Sequence, residues 1–149
     1  MKRIIVLLSL LICSGCACSQ TPKPSPSPSP SASPSVKEAL DVTGEESQFG
    51  TPIVSLKMKD GKIIEISIDE ITGETTKKAM KEDYKLPDTA VDTWANQVKV
   101  LEDAILNQGI DALQIDTDGR LMNADLKSGC TIQVENYLKT VRKAMNEAK

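Results

Sequence analysis

Between residues 52 and 71, apolar and polar positions alternate. Val54, Leu56 and Met58 take every second place in one run, and Ile64, Ile66 and Ile68 do so in the next. Period two marks a strand with one buried face, so strands are expected over 52–58 and 62–71. Asp60-Gly61 separates them, and glycine accepts the positive φ that a two-residue hairpin turn needs. Gly44 and Gly50 precede this pair, with a further short strand expected near Ser47. Thr72-Gly73-Glu74 reads as a turn, and 76–82 as a short helix with Lys77, Lys78 and Lys81 on its surface. The period then changes. Val91, Trp94, Ala95, Val98, Leu101 and Ile105 recur at helical spacing. They predict a helix over 89–107, with Asp88 as N-cap and Gly109 closing its C-terminus. Residues 112–117 and 120–123 read as short strands around Asp118-Gly119. Val134, Tyr137, Leu138, Val141 and Met145 predict a terminal helix over 133–148, with Lys139, Arg142 and Lys143 on its polar side. The sum is an α+β fold: a small, mainly antiparallel sheet with two principal helices packed on it.

The N-terminal third follows another pattern. Met1-Lys2-Arg3 is basic, and residues 4–12 are apolar except for Ser9. Spanning a bilayer takes about 20 helical residues, so this run is too short and reads instead as a secretory leader. Small residues precede a cysteine in Cys13-Ser14-Gly15-Cys16, which resembles the bacterial lipobox. That resemblance implies cleavage after Gly15 and acylation of Cys16, with chains such as palmitate, on the extracytoplasmic face of the cell membrane. Cys13 stands where the pattern usually has Leu, and Cys18 after Ala17 is a second, weaker candidate. Residues 21–35 read TPKPSPSPSPSASPS. Alternating proline lacks the donors for helix or sheet and favours polyproline II, reaching roughly 45 Å over such a length. Three pieces are therefore expected: a leader over 1–15, a lipidated tether over 16–37 and a folded domain over 38–149.

Composition narrows the chemistry. The chain has 149 residues and no His, which excludes Ser-His-Asp and Cys-His catalysis and His-ligated zinc or haem. Residues 38–149 hold 14 Lys+Arg against 21 Asp+Glu, a net charge of −7. Such a domain does not attract nucleic acid electrostatically. Four aromatic residues in the whole chain leave little for base-stacking platforms. Trp94 at helical spacing with Val91 and Val98 reads as core, with stacking of Trp94 and Tyr84 on a flat ring as the other role. Asp116-Thr117-Asp118-Gly119 lacks the closing Glu of a calcium loop at the required spacing and reads as a turn.

The candidate chemistry lies at Asp125-Leu126-Lys127-Ser128-Gly129-Cys130-Thr131. A hydroxyl beside a helix N-terminus suits a phosphate, because free backbone N–H groups gather there; it equally suits a plain N-cap. The run Asp125-x-x-Ser128-Gly129-x-Thr131 resembles the flavinylation motif of FMN-binding domains. These include the flavin-bearing subunits of sodium-pumping quinone reductases and small Gram-positive lipoproteins of extracellular electron transfer. The resemblance covers roughly residues 44–149. It implies that a flavin transferase joins the FMN phosphate to Thr131, with Asp125, Ser128, Gly129 and Cys130 as motif neighbours. Cys130 stands where the family has Ala, either filling the same space or offering a thiol. The implied protein is a lipid-anchored electron carrier more than a stand-alone enzyme, served by a membrane redox partner such as a quinone-linked dehydrogenase. Its rival is a non-redox surface or binding lipoprotein that keeps the fold without flavin. A third idea is that the cleaved leader acts as a peptide signal.

Overall fold

The structure, a computed structural model, describes residues 35–148; the leader, most of the tether and Cys16 lie outside the described residues. Four antiparallel strands form one sheet in chain order: β1 Lys37–Thr43, β2 Thr51–Lys59, β3 Lys62–Thr72 and β4 Thr75–Thr76. Asp60 and Gly61 both take positive φ, 51° and 77°, and close the β2–β3 hairpin as expected. Three helices follow: α1 Lys77–Met80, α2 Trp94–Gln108 and α3 Glu135–Glu147. α3 packs across β1 and β2, and α2 across β3. One core forms between helices and sheet, from Val54, Leu56, Ile66 and Ile68 below to Val98, Leu101, Val134 and Val141 above. This is the small α+β fold that the periodicity predicts.

Two bulges reshape the sheet. Between the pairs Ala39–Leu56 and Val42–Val54, β1 carries one extra residue. Asp41 takes a φ of 52° there, and its carboxylate and backbone N–H both bond Ser55 Oγ, at 3.1 and 2.9 Å. Ala39 and Val42, three apart, therefore both face the core. The second bulge lies between the pairs Lys57–Glu65 and Met58–Ile63. It corrects the expected face Ile64-Ile66-Ile68: Ile63 packs on the core, while Ile64 is 49% exposed. An extra residue in one strand inverts the parity beyond it.

Other expected boundaries also move. α2 starts at Trp94, not near residue 89, because Thr93 is the N-cap and its hydroxyl accepts from Asn96 N–H at 3.3 Å. Residues 87–90 close a separate turn instead, with Ala90 N–H on Pro87 C=O at 2.8 Å, and Val91 is exposed. The strands expected over 112–117 and 120–123 reduce to one bridge, Ile115–Leu121. Asp116 Oδ1 accepts from the N–H groups of Asp118 and Arg120, each at 2.9 Å, and draws the chain into a tight loop. Near Ser47 a bridge to Gly50 forms a turn rather than a strand. Gly50 is required there, since at φ 135° a Cβ would meet Ile71 C=O.

The open edge of β3 is closed by side chains. Glu102 on α2 accepts from Ile68 N–H and from Lys78 Nζ, each at 2.7 Å. Burying that carboxylate without both donors would be unfavourable.

Candidate functional site

The loops leading into α2 and α3 meet over the turn that follows β4. They enclose a cavity of about 370 Å³, within the range of small-ligand sites. All four aromatic residues of the chain line it: Phe49, Tyr84, Trp94 and Tyr137. Tyr84 and Tyr137 both pack edge-on against Trp94, at centroid separations of 6.4 and 6.3 Å. Trp94 Nε1–H donates to Tyr137 OH at 3.2 Å, and that hydroxyl donates to Glu70 Oε2. Burial, and then the negative charge of Glu70, push the Tyr137 phenol well above its ordinary pKa. Trp94 is thus core, at 2% exposure, and cavity wall as well.

Lys77, expected on the surface, is buried. Its ammonium donates to Glu70 Oε2 at 2.6 Å. The reason lies in β3: Glu70 follows Ile66 and Ile68 on the inward parity of the strand, so its carboxylate enters the core and needs a buried partner. The parity of Glu70 was a readable signal; nothing in the local pattern marks Lys77 as the residue that answers it. The charged residues in the cavity wall are Lys77 and Arg120, both cations. That stands out in a domain with net charge −7.

Thr131 lines the cavity and is half-buried. Its backbone N–H and its hydroxyl both donate to Gln97 Oε1, at 2.8 and 3.1 Å. Gln97 Nε2 in turn donates to Asp92 C=O at 2.8 Å, so one buried amide ties both loops of the cavity together. Gln97 lies three residues after Trp94 on the apolar stripe of α2, a position where an amide signals a polar task inside. Thr131 is not the N-cap of the terminal helix. α3 starts at Glu135 with Val134 at its cap position, and Val134 N–H donates to Gly119 C=O at 2.7 Å. The Thr131 N–H is already taken by Gln97, so the helix-end anion site expected here is not formed by that group.

The other motif residues lie elsewhere. Residues 124–129 form consecutive turns, anchored by the buried Leu126. Asp125 is exposed and accepts from Gln108 Nε2 at 3.0 Å. Ser128 is exposed too, and Gly129 lies close to Val100 of α2. Cys130 points inward and is 1% exposed; burial pushes its thiol up to about 11. It is a packing residue, protonated at neutral pH and therefore a poor nucleophile. Of the five motif positions, Thr131 alone is in the cavity wall.

No family model matches the chain, and no curated protein matches it. Among solved structures, the solution NMR structure of a Clostridium thermocellum protein is similar, with 22% identity and a TM-score of 0.50. The match covers 76% of this chain and 90% of that one. At this identity the likeness concerns the fold alone. It places the chain among small α+β domains with an antiparallel sheet covered by two helices.

Proposed function

We propose that this protein is a membrane-anchored electron carrier that holds FMN in the aromatic cavity, joined through its phosphate to Thr131 Oγ by a transferase that breaks the pyrophosphate of a flavin dinucleotide, the nucleoside monophosphate leaving and the hydroxyl proton passing to water. The observation that carries this reading is the position of Thr131. It is the one motif residue in the cavity wall, and that wall gathers every aromatic ring of the chain. The donor set fits the group. FMN is a flat ring with an anionic tail, and the cavity offers aromatic walls, two cations and no carboxylate. Bound FMN supplies the redox chemistry.

The protein's own residues supply position. Gln97 Oε1 accepts from the Thr131 N–H at 2.8 Å, a bond that persists when Oγ is esterified and holds the residue at the wall. Arg120 offers a guanidinium suited to phosphate. Leu86 and Ile132 add apolar surface to the cavity wall. The exposed Asp125 and Ser128 are available for a flavin transferase to read from outside. Acylation at Cys16 and the Ser-Pro tether belong to the same proposal. They would keep the domain near a membrane partner such as a quinone-linked dehydrogenase and raise their effective concentration.

The test is direct. The full chain is co-expressed with a flavin transferase, purified and denatured. Flavin fluorescence is expected to stay with the polypeptide, and Thr131→Ala to abolish it. Colour that washes out on denaturation would mean FMN bound without the ester. A colourless protein, even with FMN added, would leave the non-redox binding lipoprotein as the better reading.

A further inference from the structure

One residue of the cavity wall, Lys77, belongs to an ion pair whose other member, Glu70, lies outside that wall. Lys77 and Glu70 are each 2% exposed in their side chains, and the pair is not symmetric about the cavity. Lys77 lines it, whereas Glu70 lines a separate recess beside Pro52 and Asn136. Glu70 Oε2 accepts from both Lys77 Nζ and Tyr137 OH. An ammonium has three N–H donors, and among the described residues Glu70 is the one hydrogen-bond partner of this one. Around the rest of it stand the rings of Tyr84, Trp94 and Phe49, with centroids 4.5, 5.5 and 5.9 Å from Nζ. The pair therefore presents its positive end to the cavity. It is held there by a carboxylate and packed among three rings. A charge beside a partly buried apolar wall acts more strongly than one in bulk water.

We propose that Lys77 is a specificity-determining residue of this site, favouring the reduced, negatively charged isoalloxazine over the neutral oxidised ring. The inference rests on the flavin reading above. Two electrons from an external reductant and one proton from water leave the neutral ring with one negative charge. A wall charge that stabilises this form raises the potential at which the bound flavin accepts electrons.

The experiment uses the full chain, flavinylated by co-expression with a flavin transferase and purified in detergent. Its potential is titrated with dithionite against a reference dye. Wild type is compared with Lys77→Arg and with the pair Lys77→Met/Glu70→Gln, which leaves no carboxylate buried alone. The double variant is expected to lose about tenfold in preference for the reduced form, which is about 30 mV for a two-electron couple. Lys77→Arg is expected to retain it. A second measurement needs no variant: with ¹³C-labelled lysine, the ring-shifted Lys77 methylene resonance is expected to move when the flavin is reduced. Equal potentials in wild type and the double variant overturn the proposal. So does a Lys77 resonance unmoved by reduction, should the double variant not fold. Both results leave the flavin reading standing, because the flavin is then attached. A wild-type chain that takes up no flavin overturns that reading and this proposal together.

Discussion

Cys130 illustrates how a single environment decides a residue's chemistry. In the sequence it stands beside a candidate attachment site and has two roles open to it, filler or reactive thiol. In the fold it is 1% exposed, and burial moves its pKa from 9.0 to about 11. The raised value is also a statement about stability. Below pH 9 the thiol is protonated in folded and unfolded chains alike, and its contribution is fully present. Between pH 9 and about 11 the unfolded chain loses the proton first, so stability falls, by at most about 1.4 kcal/mol per pH unit. Tyr137 shifts in the same direction from 10.0 and steepens the loss above that pH. Urea unfolding midpoints are therefore expected to fall from pH 9 upward, and Cys130→Ala to flatten the first unit of that fall. An unchanged slope in the variant would show that this thiol is not responsible. Below pH 8 Cys130 is expected to react with aromatic disulfide reagents far more slowly than an unfolded thiol.

At the level of elements, the decisive devices are the two bulges. Alternation read along 62–71 places Ile64 and Ile66 on one face, and that reading holds only from Ile66 onward. Ile66→Ala is expected to destabilise the domain by ~2–5 kcal/mol. Ile64→Ala, at a half-exposed bulge position, is expected to change stability by less than about 1 kcal/mol. Equilibrium denaturation of the two variants separates the bulged register from the regular one, in which both would be costly. β1 was not legible for the same reason. Its inward residues Ala39 and Val42 are three apart, a spacing that breaks the period of two by which a strand is recognised. The start of α2 differs from the expected one through competition between caps. Asp88 and Thr93 are both capable N-caps, and Thr93 prevails, with residues 87–90 closing a separate turn before it.

Across the whole molecule, β1 has consequences for where the domain begins. It pairs along β2, and Ala39 and Val42 join the core beneath α3. Gly44 at its exit allows the chain to press against Thr140 of α3, where a Cβ would overlap the hydroxyl. A chain beginning at residue 35 is expected to unfold cooperatively at a midpoint close to that of the full chain. One beginning at residue 44 exposes the edge of β2 and is expected to lose that cooperative transition. Calorimetry on both truncations decides this, and an undiminished transition without β1 would refute it. By itself the sequence determined the fold class, the central hairpin, the two principal helices and the acidic balance of −7. These depend on short-range periodicity and on counts, which a chain carries in its order. Only the tertiary structure decided that four aromatic rings, spread from residue 49 to residue 137, meet at one cavity beside Thr131. Only it decided that Lys77 answers Glu70 inside the protein. Such contacts join residues from separate elements, and their partners are chosen by packing in three dimensions rather than by any spacing along the chain.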